Sequence, residues 1–188
     1  MIINISILLG GYLLTCRSNT GGVELFYISD WQKRLFAFSG EIIEGTDPGD
    51  GPAQVFFTFE QLLESASASE TPEVDNTNQA AIWNQSVILV FPTTGDPDLD
   101  DQVRSLKEDL SKGRFLVITK DQNGHNKLFG AERGLTMETG EGGTGQASTD
   151  LNGMTITLTG KESESARLVN LPGGGGGATP FTITPAVL

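Results

Sequence analysis

The sequence is short of the residues that most site chemistry needs. It has one cysteine, Cys16, and one histidine, His125, among 188 residues. A lone cysteine excludes an intramolecular disulfide framework and a cysteine-based zinc cage, and it fits folding in a reducing compartment. A lone histidine leaves Ser–His or Cys–His catalysis resting on a single position. Lys and Arg number 12 against 24 Asp and Glu, a formal charge of −12. That balance argues against gripping nucleic acid through phosphates, which runs on clustered bases. Long apolar runs are also missing. The opening "MIINISILLGGYLLTC" has no Lys or Arg and is interrupted at Gly10-Gly11. It falls short of the roughly 20 apolar residues of a membrane helix. We read it as strand-forming residues rather than a signal, and expect no membrane contact.

Bases are missing locally as well. Between Glu41 and Val103 lie thirteen of the 24 acids and no Lys or Arg. Such a block is a solvated surface or mobile loop, or else an anionic wall that repels phosphate.

What is present reads as β-structure in a chain long enough for one good-sized domain. Short runs rich in Val, Ile, Phe and Thr, bounded by Gly, Asn, Asp or Pro, predict strands. They cover Ile2–Leu9, Val23–Ser29, Arg34–Ile43, Gln54–Gln61, Ala81–Phe91, Phe115–Lys120, Lys127–Ala131, Leu135–Thr139, Met154–Thr159 and Arg167–Leu171. In "MTITLTG", Met154, Ile156 and Leu158 would face one side and the threonines the other. Asn123-Gly124 predicts a tight hairpin between "FLVITK" and "NKLFGAE".

One helix is expected, over about 97–112. Asp96 is placed to cap it and Pro97 suits its first position. Leu99, Val103, Leu106 and Leu110 form an apolar stripe, and Gly113 stops it. "EGTDPGDGPA" and the polar "ESASASETPEVDNTNQ" read as loops, the second one mobile. The chain divides into one domain over 1–171 and a glycine-rich tether with C-terminal extension over 172–188. The apolar "FTITPAVL" at its end would be either frayed or docked on a neighbouring subunit.

Chemical motifs fail on context. "GEGGTG", Gly140 to Gly145, spells the dinucleotide fingerprint, but a strand follows it where a helix is required. We read it as a supple connection between strands. "LTGKES" has Thr155 where a phosphate loop needs glycine. "DPDLDD" starts like a calcium loop but has Asp101 and Lys107 at the positions for Gly and Glu. Asn84-Gln85-Ser86 is a glycosylation triplet inside a predicted strand. His125 occupies a hairpin tip with nothing expected to orient it. No catalytic, cofactor-binding or metal-binding residue is assigned, no cofactor is implied, and the chain is not expected to be an enzyme.

The order of elements carries a resemblance. "CRSNTGGVELFYISDW", an acidic midsection, "LDDQVRSLKEDL", "FLVITKDQNGHNKLFGAERG" and "TGQASTDLNGMTITLTGKESESARLV" are similar to structural proteins of tailed bacteriophages, most of all the tail tube (major tail protein) family. The similarity spans Cys16 to Val169, and its most specific pieces are "DQNGHNKLFGAERG" and "GQASTDLNGMTITLTGKE". The pentaglycine extension and the base-free middle depart from it.

The resemblance implies a mainly β, sandwich or barrel-forming fold with one flanking helix. It also implies self-assembly into stacked hexameric rings of a virion tail, made in the bacterial cytoplasm. The partners would be other copies, neck and tail proteins and the tape measure, and DNA would cross the lumen without specific binding during ejection. An anionic lumen would keep phosphates moving, and Glu41, Glu44, Asp47, Glu60 and Glu64 are candidates for it. A ring-forming neck or tail terminator protein is the close alternative. A monomeric glycan-binding β-sandwich is the alternative of another class, although Trp31 and Trp83 lie far apart in the sequence.

Overall fold

The computed structural model describes residues 21–33, 35–47, 49, 51–61, 65–75, 77, 80–93, 95–144, 151–171 and 178–184. The expected strand Ile2–Leu9 and Cys16 lie outside the described residues. Twelve strands and one helix follow in the order β1 (Val23–Asp30), β2 (Phe36–Ser39), β3 (Ile42–Thr46), β4 (Val55–Glu60), β5 (Ser67–Asp75), β6 (Ala80–Pro92), α1 (Pro97–Leu110), β7 (Phe115–Asp121), β8 (Asn126–Phe129), β9 (Thr136–Gly143), β10 (Gly153–Glu162), β11 (Arg167–Leu168) and β12 (Thr182–Thr184). The fold is mainly β, a sandwich-like pair of sheets with one flanking helix among the described residues. Neither sheet closes into a barrel.

The six-stranded sheet runs β11-β8-β7-β1-β4-β12, and the four-stranded sheet runs β5-β6-β10-β9. Between them lies the main core. Phe26 and Ile28 of β1 and Val117 of β7 meet Val87 and Leu89 of β6 and Ile156 and Leu158 of β10. The expected alternation of β10 holds, with Met154, Ile156 and Leu158 buried and the intervening threonines partly exposed. Each fully buried Leu, Ile or Phe contributes about 1.5–3 kcal/mol by leaving water.

A second core covers the opposite face of the six-stranded sheet. Leu116, Ile118, Leu128 and Phe56 pack there against Ile43 and Phe181. This explains the unbroken apolar run of "FLVI" in β7, since a strand covered on both faces needs no polar positions.

Helix α1 begins as expected, with the Asp96 side chain accepting from the Asp98 N–H. It stops at Leu110, two residues short of the expected end, where the Ser111 N–H bonds to the Lys107 carbonyl. Leu110 is buried, and Val103 and Leu106 pack on the main core.

Four expectations need correction. The single strand Arg34–Ile43 is a hairpin, β2 and β3, turning at Gly40 with φ +64. The polar stretch taken for a mobile loop contains β5, a nine-residue strand paired along its whole length with β6. Burial alternates over Ser67–Thr71, as a strand with one wet face requires, while the rest of the strand is exposed, and Pro72 is tolerable because β5 is an edge. "GEGGTG" is not a loose connection through its first four residues, because β9 runs on to Gly143 and pairs Gly140 with Ile156 and Gly142 with Met154.

The fourth correction concerns the C-terminal segment, which docks on its own chain. β12 pairs parallel with β4, Thr182 opposite Val55, and Phe181 meets Phe56 edge-to-face at 5.2 Å. Just before it, Thr179 exchanges two backbone hydrogen bonds with Thr46, each 3.0 Å. Gly45 makes room for this crossing. Its φ is +150, and a Cβ there would come within 2.2 Å of the Thr179 carbonyl oxygen.

Candidate assembly surface

One surface stands out because, among the described residues, neither core cluster lies over it. The four-stranded sheet turns Met154, Ile156 and Leu158 inward, so its other face carries Thr155, Thr157 and Thr159 of β10. Beside them lie Ser86 of β6 and Ser67, Ser69 and Thr71 of β5, as the registers require. These residues are half-buried or exposed; Ile82 and Ile88 of β6 share the face and are half-buried, and Val90, at one end of it, is buried. Six acids lie in the four strands, Glu70, Glu73, Asp75, Glu138, Glu141 and Glu162, against one base, Lys161. Glu73, Asp75 and Glu141 share the outer face. Lys161 Nζ sits 3.3 Å from Glu73 Oε2, and the Asn84 amide donates to the same oxygen at 3.1 Å. The Asn84 hydrogen bond, then Lys161, holds the Glu73 carboxyl below its usual range.

Among the described residues both margins of this sheet are open, since β5 and β9 each pair there on one side only. β9 has a bulge at Glu138, since Leu158 pairs with Met137 and Thr157 with Thr139. Gly140 has a packing role. A Cβ there would collide with Met137 Cε and approach Lys107 Cε at 3.2 Å, so its absence lets α1 lie against β9. The neighbouring Gly153 is forced for another reason: a Cβ would stand 2.3 Å from the Phe91 carbonyl oxygen. Strands flank these glycines, and the N-terminus of α1 at Asp96 belongs to another connection, so no dinucleotide cradle is formed.

One end of the sandwich is locked by two buried polar residues that periodicity did not reveal. Gln85 Oε1 accepts from the Gly130 N–H at 2.8 Å. The Glu162 carboxylate accepts from the N–H groups of Glu132 at 2.8 Å and Arg133 at 3.0 Å. "FGAERG" is thus tied to "TGKE", which brings together the ends of the two most specific segments of the sequence. Burial pushes the Glu162 carboxyl above the usual range, against the backbone donors that favour its ionised form. Glu132 is turned to Ser163, accepting from its hydroxyl at 2.6 Å and its N–H at 3.1 Å, and its pKa is lowered by those bonds.

The acids proposed from sequence as a lumen wall do not share this face. Glu41 is at the β2–β3 turn, 3.3 Å from Arg167. Glu44 is buried on β3 and accepts from Asn170. Asp47 accepts from the Gly49 N–H, and Glu60 ends β4. Glu64 lies outside the described residues. A base-free stretch of sequence had suggested one surface, but a hairpin and two sheets divide it.

His125 is oriented after all. Asp121 accepts from its N–H at 2.8 Å and lies 3.6 Å from its ring. That contact closes a turn and meets no nucleophile. Trp31 lies under Arg114, 4.0 Å from the guanidinium carbon, while Trp83 is on β6 in the other sheet, so the two form no aromatic platform. No cluster of His, Cys, Asp and Glu able to hold a metal occurs among the described residues, and no helix there is long and apolar enough to cross a membrane.

No protein-family model matches the chain, and no curated protein or solved structure matches it either. What this surface does has to follow from its own geometry.

Proposed function

We propose that this chain is a structural subunit of a tailed-bacteriophage tail tube, built to form hexameric rings, with the four-stranded sheet facing the lumen. The observation that carries this reading is the sheet itself: rich in hydroxyls and acids on its open face, and unpaired at both margins among the described residues. Its strands alternate in direction, so β9 of one copy meets β5 of the next antiparallel when copies are rotated about a common axis. A closed ring would remove both open margins of this sheet at once.

The dimensions agree. Six copies of a four-stranded sheet make about 24 strands, roughly 115 Å around and about 37 Å across at 4.8 Å per strand, and tilt widens this further. With side chains inside, the channel still passes a B-form duplex. Its lining of Thr, Ser, Ile88, Glu73, Asp75 and Glu141 includes one base, Lys161, which Glu73 already pairs, and each phosphate–base contact it avoids is one counterion-release step that transit need not reverse.

Negative-stain microscopy with light scattering of the purified protein tests the assembly, with rings or tubes expected at high concentration. A strictly monomeric species at every concentration would overturn the reading. The lining is tested in virions carrying Thr155→Lys, Thr157→Lys and Glu141→Lys together. Slower genome ejection is expected, and an unchanged rate would remove this face from the lumen.

A further inference from the structure

The two sheets are not stacked squarely, and the offset leaves two apolar overhangs. At one end of the sandwich Phe91 of β6 lies over Phe59 of β4, ring centroids 6.0 Å apart. At the other end Gln85 of the same strand bonds to Gly130, just past β8. β4 and β8 are three places apart in the six-stranded sheet, so the four-stranded sheet crosses it diagonally, as twisted sheets do.

The diagonal has consequences at the Gln85 end. β5 is carried out over the β8–β11 margin, where Glu70 already accepts from Ser165 and the Ala166 N–H at 2.8 Å. Its last residues pass beyond that margin. Val74 has the same parity as the core-facing Ala68 yet is 60% exposed. Near the opposite margin, one strand in from β12, the start of β4 is bare on its main-core face. Phe57 is register-paired with the core residue Ile28 and shares its face, yet Phe57 is 54% exposed and Val55 40%. Val74 and Phe57 thus lie at the same end of the sandwich, on opposite flanks, and on faces that point toward each other.

We infer that these overhangs form a lap joint between copies: Val74 and Pro72 of one subunit slide under Phe57 and Val55 of the next. The occupant is a second copy of this chain, because the two patches are complementary in position, in face and in apolar character. The contact is heterologous, so it repeats around a ring rather than closing a dimer. It also explains why a strand as polar as β5 carries a valine near its end, and why Phe57 has no cover at home. The inference rests on the ring reading and adds a specific joint to it.

The test is cross-linking of full-length protein carrying Cys16→Ser, Val74→Cys and Phe57→Cys under mild oxidation. A ladder of disulfide-linked oligomers is expected, with Val74→Cys or Phe57→Cys alone giving no species beyond a dimer. Independently, Phe57→Glu should raise the concentration needed for assembly about tenfold or more, and pairing it with Val74→Lys should recover part of that loss. If rings form while the double cysteine variant gives no ladder and Phe57→Glu assembles normally, the lap joint is wrong and the ring reading stands. If neither the parent nor any variant assembles or cross-links, both are overturned.

Discussion

The two sheets of this protein are built from the same backbone pattern and face opposite fates. The six-stranded sheet is covered on both faces, by the four-stranded sheet on one side and by β2, β3 and the C-terminal segment on the other. Among the described residues the four-stranded sheet is covered on one face only, apart from the buried Val90 at one end of the other. Their sequences follow. β7 reads "FLVIT" because both of its faces are dry, while β10 reads "MTITLT" because only one is. The first sheet is committed to holding the fold. The second turns a face of mostly hydroxyl and acidic side chains away from the main core, with Ile82, Ile88 and the buried Val90 among them.

Substitutions can break that contrast, and the largest effect belongs to the doubly covered sheet. Phe26→Ala, at a fully buried position of β1, should lower stability by about 3–5 kcal/mol in chemical denaturation. A loss under 1 kcal/mol would mean that the main core collapses around the cavity. Next comes the strap across the second core. Gly45→Val places a side chain where the Thr179 carbonyl lies, and should cost about 2–3 kcal/mol. It should also make the chain beyond Leu171 the first site cut in limited proteolysis. If wild type and variant are cut alike, the C-terminal strand is not held as described.

The buried carboxylate tests how the sheets are joined. Because Glu162 has a raised pKa in the folded chain, its ionised form costs stability as pH climbs from below the ordinary carboxylate value of 4.5 toward neutrality. Glu162→Gln should therefore be less favourable than wild type in acid and gain on it as pH rises. Denaturation over a pH series measures this, and a trend of opposite sign would show that the Glu132 and Arg133 N–H groups outweigh burial. The smallest effect is expected on the open face, where Thr157→Ala should change monomer stability by no more than about 0.5 kcal/mol. A larger loss would mean that this face is covered within the single chain.

Much of this was legible in the residues, for identifiable reasons. The helix announced itself through Asp96, Pro97 and its apolar stripe, all local signals. β10 was readable from its period of two, and the β7–β8 hairpin from Asn123-Gly124. β5 was not, because "SASETPEVD" has almost no apolar residues; it is a strand only because β6 offers it a ladder along its length. The split between β2 and β3 hides in one glycine adopting a positive φ. Gln85 and Glu162 could not have been recognised as a lock, since their partners lie 45 and 30 or fewer positions away in sequence. The overhangs are further still from the sequence, being a product of how far one sheet turns over the other. Glu41, Glu44, Asp47 and Glu60 are scattered for the same reason: contiguity along the chain is not contiguity on a surface.

The parallel pairing of β12 with β4 also sets a timetable. Thr58 and Thr184, joined by a hydrogen bond, are 126 residues apart. At translation rates of about 5–20 residues per second, the outer margin of β4 waits roughly 6–25 s for its partner strand. During that interval Val55, Phe56 and Phe57 belong to an unfinished edge, the kind on which another chain can add. The six-stranded sheet is thus completed late, by the segment beyond the glycines, and a polysome carrying many copies is where its premature pairing has to be avoided.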